Sequence, residues 1–351
     1  MNDTARSEGI TCQGCGNYMA ASMLSCPSCH MLVYTDRLKQ ISEDAGKNET
    51  AGNIAGALTA WREALALLPA NTKQYKAVHA KVEDFSKRID SDPSLRKAVE
   101  QEEALQEQSK GMGKKLAGVG AAGLFLWKFK FVLAFIITKG KLLLLGLTKA
   151  STIFSMLAAL GLYWALWGWK FALGLIISIY IHEMGHVAAL RRFGIKATAP
   201  LFIPGFGAVV RLKQIPTTTM ENARVGLAGP LWGLGASVVS LLIYLITHSA
   251  IFAAIASVGA WINLFNLLPI LPLDGGRGFQ ALTRNQRFLA VAAVGIAWFL
   301  TGEGLLILLF LAGIVFAFAK NQNQIPDHVA LIQYIGLTAA LTALTRIPVP
   351  S

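Results

Sequence analysis

The sequence predicts an all-α, polytopic (multi-pass) membrane protein with one short β-hairpin, preceded by a small zinc ribbon and a soluble helical segment. Three observations lead to this prediction. First, 54% of the 351 residues are hydrophobic and only 15% are charged, which excludes a disordered chain and an ordinary soluble enzyme. Second, all four cysteines lie within residues 12–29. Third, residues 1–110 contain 13 Lys+Arg and 15 Asp+Glu, whereas residues 111–351 contain 19 and 5, so the net charge of +12 belongs to the second part.

The basic residues of the second part flank long apolar runs, as charges do at the ends of membrane spans. The positive charge therefore indicates contact with membrane lipid, and no nucleic-acid partner is predicted. The first ten residues are polar and no apolar core follows them, so the sequence predicts no secretory signal. We expect the N-terminal region to lie in the cytosol.

Residues 1–35 are predicted to form a zinc ribbon that holds a structural zinc ion. The cysteines form two C-x-x-C pairs separated by ten residues, Cys12 with Cys15 and Cys26 with Cys29. Each pair directs two sulfur atoms at one ion, and four thiolates make the tetrahedral site that zinc prefers. Two disulfides are the alternative, which a cytosolic location disfavours. A closed site of this kind implies a structural or docking role and not catalysis.

Residues 36–110 are polar and helix-prone, and we expect a soluble helical segment there. Residues 52–69 place small residues at packing points around Trp61 and end in Pro69, a pattern that resembles the later part of one tetratricopeptide motif. Repeats of this class normally stack at least three deep, and only one unit is visible. A plain helical hairpin is an equally good interpretation. The segment is a candidate site for a cytosolic protein partner.

The composition changes abruptly in residues 111–150, a basic segment in which five lysines interrupt the apolar stretch 116–149. Helices on the membrane surface are favoured there over one or two spans with snorkelling lysines. Clearer spans, judged against the need for about 20 apolar residues, follow in a multi-pass domain of residues 151–320. They are predicted at about 151–168, 170–193, 225–247, 250–268, 287–300 and 304–319. Residues 321–351 add a C-terminal membrane-associated helix, either a span or an interfacial helix at 327–345.

The second predicted span of the multi-pass domain contains His182-Glu183-Met-Gly-His186, an H-E-x-x-H pattern. Two histidines four residues apart share one helix face, so both imidazoles can reach one zinc ion, and Glu183 lies close enough to activate metal-bound water. Ionisable groups within an apolar helix cost several kcal/mol unless they are paired or ligated. The motif is therefore a candidate metalloprotease centre.

A catalytic zinc commonly takes three protein ligands, so a third must come from elsewhere in the chain. Glu221 is one conceivable ligand, and Asp274 is a stronger one. Asp274 follows a stretch with prolines at 269 and 272, which unwinds the helix end, and irregular backbone at membrane depth is tolerated only against protein or a water-filled cavity. The alternative is that Asp274 pairs only with Arg277 in a turn at the membrane surface.

Together and in this order, three motifs resemble those of the site-2 protease family of intramembrane zinc metalloproteases. They are the H-E-x-x-H pattern, the segment Gly226-Leu-Ala-Gly229-Pro230, and the segment that runs from Asn266 to Gly275. The resemblance covers residues 170–285 and leaves residues 1–150 outside it.

The resemblance implies an intramembrane protease with one catalytic zinc ion, beside the structural zinc of the ribbon. It implies that His182, His186 and Asp274 bind this zinc, that Glu183 is the catalytic base, and that Asn266 is a candidate for positioning the scissile peptide. One position departs from the family pattern. The Ala-Gly-Pro motif is often followed after two residues by Asn, whereas Gly233 stands there in this chain, so any role of that Asn is absent or moved.

Residues 199–212 read as a short, glycine-bent hairpin between the first two core spans. By family resemblance this element dips toward the active site, where an exposed strand edge can hold an unwound substrate by strand addition. An ordinary connecting hairpin is an equally good interpretation. Only 39 residues separate His186 from Gly226, too few for an inserted PDZ domain.

Basic residues also predict the topology. Arg191, Arg192 and Lys196 follow the H-E-x-x-H motif, so this end of the helix is expected to face the cytosol. With a cytosolic N-terminal region, the single span at 151–168 gives the required odd number of crossings. The expected location is the cell (inner or plasma) membrane.

The sequence thus predicts a zinc-dependent metalloendopeptidase of the site-2 protease type, whose substrate is a transmembrane protein cut in or near its membrane segment. A non-proteolytic membrane adaptor, which would recruit partners through the zinc ribbon and the helical segment, is the alternative. The intact Glu183 disfavours it. Metal transport would need several intramembrane acids along a path, but Glu221 and Glu303 lie near predicted span ends.

Overall fold

The computed structural model describes residues 9–96, 150–195, 200–205, 207–209, 216–319 and 323–350. The chain divides into two compact units. The first consists of Met1–Met112 together with Arg192–Ile195, and the second of Gly113–Arg191 with Lys196–Ser351. The interpretation of residues 116–149 as surface helices lies outside the described residues.

The first unit begins with a small antiparallel hairpin. Its strands are β1 (Gly9–Thr11) and β2 (Tyr18–Ala20), in which Ile10 is opposite Met19. A single bridge joins Ser25 to Leu32. Cys12, Met19 and Cys26 form a core too small to stabilise such a domain alone, which is why domains of this size normally need a metal or a disulfide.

Three consecutive helices follow: α1 (Thr35–Thr50), α2 (Ile54–Ala66) and α3 (Lys73–Ser91). The side chain of Asn53 caps α2, and that of Thr72 caps α3. The apolar faces of all three helices share one core that contains Trp61, whose Nε1 donates to Glu49 Oε1 at 2.6 Å. Within residues 35–96, which the structure describes, the segment is therefore a three-helix array, one helix more than a plain hairpin.

The first unit also includes Arg192–Ile195, a segment that is distant in sequence from its other residues. The Nε of Arg62 donates to the carbonyl oxygen of Phe193 at 2.6 Å, and Arg192 forms an ion pair with Asp90 at 2.5 Å. Arg62 is buried and Phe193 is fully buried, so these contacts replace the water that the guanidinium would otherwise bind.

The second unit is helical, which confirms the predicted fold class. Its helices are α4 (Ala150–Trp167), α5 (Trp169–Arg192), α6 (Thr219–Thr247), α7 (Ala250–Asn266), α8 (Asp274–Gln280), α9 (Arg284–Thr301), α10 (Gly304–Phe318) and α11 (His328–Thr345). Helices α5, α6 and α11 are long and apolar enough to cross a membrane, and α4, α7 and α10 are shorter apolar helices. The chain is thus a membrane protein.

The helix bounds agree with the predicted spans to within three residues, except at the start of α6. This helix begins at Thr219, six residues before the predicted span, because the Thr218 side chain caps it and accepts from the backbone N–H of Glu221. A capping box of Thr283 and Gln286 likewise begins α9. Helices α9 and α10 pack together as the predicted hairpin, with Trp298 against Phe310.

The predicted β-hairpin is present as β3 (Leu201–Ile203) and β4 (Gly207–Val209), which pair antiparallel with Phe202 opposite Ala208. Helix α4 contacts the edge of β3 that faces away from β4. The backbone N–H of Phe202 donates to Ser155 Oγ at 3.0 Å, and Thr152 Oγ1 donates to the carbonyl oxygen of Pro200 at 2.8 Å.

Candidate active site

Helix α5 carries the H-E-x-x-H motif on its most buried part. The side chains of His182, Glu183 and His186 are all buried within the unit. Because the histidines are one turn apart, both rings project from one face, with their Nε2 atoms 3.2 Å apart.

The third candidate ligand, Asp274, comes from the irregular backbone predicted after α7. That helix ends at Asn266, a proline-containing turn follows, and α8 begins at Asp274. The Asp274 carboxylate is buried, and its Oδ2 lies 3.1 Å from His182 Nε2 and 3.3 Å from His186 Nε2. Asp274 therefore meets the histidine pair directly, as expected for a third ligand, and does not sit in a surface turn with Arg277 alone.

The distances among these three atoms fit a zinc ion. Tetrahedral coordination with bonds of about 2.0–2.1 Å places ligand atoms about 3.3 Å apart, close to the observed 3.1, 3.2 and 3.3 Å. Among the described residues, this set and the cysteine set are the two groups of three or more side chains able to hold a metal. Three such ligands would leave the fourth position of a zinc ion open, as in catalytic zinc sites.

The hydrogen bonds of the two rings also favour a cation. His186 Nδ1 lies 2.7 Å from the carbonyl oxygen of Val225, and His182 Nδ1 lies 2.7 Å from Asn263 Oδ1. Both partners are acceptors, so each Nδ1 carries a proton. This directs each Nε2 toward the Asp274 carboxylate, where one shared cation can bind all three groups.

Helix α6 approaches the site so closely that it needs glycine. A Cβ atom on Gly229 would lie 2.3 Å from His186 Nε2 and 2.8 Å from His182 Nε2. One turn earlier, a Cβ on Gly226 would lie 2.9 Å from the carbonyl oxygen of Asp274. The Gly226–Pro230 motif is thus the wall of the candidate metal site.

Glu183 follows the first histidine and is buried, with its carboxyl close enough to His182, Asp274 and Arg277 to interact electrostatically. This position, beside the ligands but outside the group that could hold a metal, is suitable for proton transfer.

Two other predicted residues lie elsewhere. Glu221, the weaker candidate for the third ligand, is fully buried in the first turn of α6, where its carboxylate accepts from the backbone N–H and the hydroxyl of Thr217. It lies outside the candidate metal group. Asn266 is the half-buried last residue of α7, so its role in positioning a peptide stays a prediction.

The four cysteines of the first unit converge as their spacing predicted. The Sγ atoms of Cys12 and Cys29 are 3.6 Å apart, as are those of Cys15 and Cys26, and all four lie within 4.8 Å of one another. Tetrahedral zinc with bonds of about 2.3 Å separates sulfur atoms by about 3.8 Å. No disulfide joins any of the four cysteines in the structure.

The cysteine site is also prepared electrostatically. A hydrogen bond from the backbone N–H of Cys29, helped by that of Ser28, lowers the pKa of the Cys26 thiol to about 6. This shift favours the thiolate of Cys26, which is the form that binds zinc.

Sequence reasoning missed two partners of the histidines, Asn263 and the carbonyl of Val225. A signal for Asn263 was available, because an amide within the apolar run of α7 is expensive in a membrane without a partner. A backbone carbonyl leaves no such signal in the sequence.

The model of peptidase family M50 matches residues 170–249 of the chain, which include the motif of α5. A zinc metalloprotease of Methanocaldococcus jannaschii is 27% identical over 168 residues, 46% of each chain. The Rip3 protein of Mycobacterium tuberculosis, which carries a zinc metalloprotease name, is 30% identical over 209 residues, 52% of each chain. The chain thus spans about half the length of these curated relatives. No solved structure matches the chain significantly.

Proposed function

Because the chain contains a domain of peptidase family M50, we propose that it is an intramembrane zinc metalloendopeptidase acting on other membrane proteins. The observation that carries this proposal is the triangle of His182, His186 and Asp274 next to Glu183, all buried among helices apolar enough for a membrane. The substrate is proposed to be a transmembrane protein, cut in or near its membrane segment.

The residues of the site have distinct roles in this proposal. The chemistry that zinc supplies when bound is polarisation of the scissile carbonyl and generation of a nucleophile from water at neutral pH. Glu183 accepts the proton that water loses during attack and returns it to the leaving amine. Asn266, at the end of α7, is proposed to orient the substrate peptide.

The β3–β4 hairpin is proposed to hold the unwound substrate by strand addition. Ser155 accepts the outward N–H of Phe202, so the outer edge of β3 is occupied. Phe202 and Ala208 are consequently a non-hydrogen-bonded pair, and the N–H of Ala208 points away from β3. Among the described residues no strand pairs with the outer edge of β4. That edge is the one we assign to substrate.

Two zinc ions per chain are proposed, one catalytic and one structural in the cysteine site. The orientation proposed places the N-terminal unit in the cytosol and the protein in the cell membrane, because Arg191 and Arg192 end α5 and basic residues favour the cytosolic side. Protease digestion of sealed vesicles of either orientation tests this, since only vesicles with the cytosolic face outward should lose the N-terminal unit.

The test of the activity compares wild type with Glu183→Gln on single-span reporter proteins in vesicles. Wild type should release fragments with new ends in or beside the apolar segment, seen by mass spectrometry, whereas Glu183→Gln should bind the same zinc and release none. Glu303→Gln is the matched control, because Glu303 accepts a hydrogen bond from Thr345 and the amide oxygen can still accept it. Equal fragments from Glu183→Gln would overturn the proposal.

A further inference from the structure

Asn263 is a buried amide whose two ends are both bonded. It lies one turn before the end of α7 and is 2% exposed. Its Oδ1 lies 2.7 Å from His182 Nδ1, and its Nδ2 donates to the carbonyl oxygen of Gly259 at 2.7 Å. Because a carbonyl only accepts, the bond to Gly259 fixes which end of the amide is nitrogen and turns the oxygen toward His182.

Gly233 on α6 makes room for this amide. A Cβ atom at position 233 would lie 2.0 Å from Asn263 Oδ1 and 2.4 Å from Asn263 Cγ, so any side chain there would displace the amide. Positions 233 and 263 compete for one volume, and in this chain the volume holds the Asn263 side chain.

We propose that Asn263 is a positioning residue of the metal site, and that Gly233 is needed to admit it. By accepting the Nδ1 proton of His182, the amide fixes the tautomer in which Nε2 is free to bind the metal, and it fixes the ring orientation. The proposal rests on the proposed zinc site of His182, His186 and Asp274.

The two histidines differ in how their outer nitrogens are held. The Nδ1 of His186 is hydrogen-bonded to the backbone carbonyl of Val225, which no substitution removes. The Nδ1 of His182 is hydrogen-bonded to a side chain, that of Asn263. Partners of this kind typically change metal affinity by about 10- to 100-fold when removed. Asn263 is therefore the outer partner that mutagenesis can test.

The experiment measures zinc retained per full-length chain across a chelator series. The site of His182, His186 and Asp274 is called the membrane site. The zinc lost in Asp274→Ala measures the occupancy of this site, since the variant leaves the four cysteines unchanged. Asn263→Leu, which is similar in size but accepts no hydrogen bond, should release the membrane zinc at about 10- to 100-fold less chelator. Asn263→Asp keeps an acceptor oxygen toward His182, but its second oxygen faces the Gly259 carbonyl, so it should hold zinc better than Asn263→Leu and less well than wild type.

A second pair of variants tests the role of Gly233. Gly233→Ala should lower the zinc affinity of the membrane site about as much as Asn263→Leu does. The double variant Gly233→Ala, Asn263→Ala should bind zinc as tightly as Asn263→Ala alone, because the clash between the two positions is then gone. Gly235→Ala on the same helix is the control, because a Cβ there meets no atom within 4 Å.

The outcomes separate this inference from the proposed function. Wild-type zinc affinity in Asn263→Leu would overturn the positioning role, and so would equal losses in the Leu and Asp variants, which would indicate packing alone. If Asp274→Ala changes no zinc, the proposed membrane site itself fails.

Discussion

The two candidate metal sites of this protein are built in opposite ways. The cysteine site takes all its candidate ligands from one stretch of 18 residues, Cys12 to Cys29, in a unit with a very small core. The second site, called the membrane site here, takes two candidate ligands from α5 and one from the start of α8, and a third helix, α6, closes it with glycine. The cysteine site is formed by residues close in sequence, whereas the membrane site forms only when helices distant in sequence pack together.

The comparison also separates structural from catalytic chemistry. Four sulfur atoms fill the coordination sphere of a zinc ion, so the cysteine site has no position for a substrate. The membrane site has three candidate ligands, which would leave one position of a zinc ion open, and it has the buried Glu183 beside it. Both sites fit zinc, but only the second has the groups for hydrolysis.

The largest expected effect comes from the wall of the membrane site. Gly229→Ala puts a methyl group 2.3 Å from His186 Nε2, so the rings must move. We expect loss of the membrane zinc and at least about a 100-fold fall in reporter cleavage, since displacements of about 1 Å cost that much. Zinc analysis and fragment yield measure this. Gly235→Ala should behave as wild type, and equal loss in both would indicate general damage to α6.

The next largest effect is expected from a variant that disrupts only the cysteine site. Cys26→Ser removes a fully buried ligand of the cysteine set. The ribbon should lose its zinc and unfold, because structural zinc in small domains contributes folding free energy of about 10–16 kcal/mol. Zinc content and hydrogen exchange of residues 9–33 measure this. Retention of the membrane zinc is expected, and its loss would show that the two sites are not independent.

A substrate-binding effect should leave both metals in place. Ala208→Pro removes the N–H at the outer edge of β4, so reporter cleavage should fall about tenfold in kcat/KM, the equivalent of one hydrogen bond of about 1.4 kcal/mol. Fragment yield at several reporter concentrations measures it. Unchanged cleavage with unchanged zinc would remove β4 from the account.

Gly226→Ala should affect the metal site less than Gly229→Ala does. The added methyl group would lie 2.7 Å from Arg277 Cβ and 2.9 Å from the carbonyl oxygen of Asp274, against the helix that bears the ligand and not the ligand atoms. We expect the zinc affinity of the membrane site to fall about tenfold. Chelator titration checks it. A loss as great as that of Gly229→Ala would contradict this ranking of the two glycines.

Much of this arrangement could be predicted from the sequence because the signals were local. The C-x-x-C spacing identified the cysteine site, and the helical spacing of His182 and His186 placed both rings on one face. Asp274 was found because acids are scarce and expensive among apolar helices. The family resemblance joined it to the histidines.

What the sequence could not supply depends on packing between distant segments. The contact of Asn263 with His182, and its exclusion of any side chain at Gly233, arise only when α5, α6 and α7 meet. Likewise, the partner of His186 is a backbone carbonyl, which any residue at position 225 would present. The early start of α6 was missed because its Thr218 cap precedes the apolar run.

Whether the chain binds one or two zinc ions is decided by the zinc content per chain of the purified full-length protein after mild chelation. We expect two zinc ions in wild type, one in a Cys26→Ser, Cys29→Ser double variant, and one in Asp274→Ala. One zinc in wild type that disappears in the cysteine variant and is unaffected by Asp274→Ala would contradict this expectation, because the membrane site would then hold no metal and could not be a zinc protease centre.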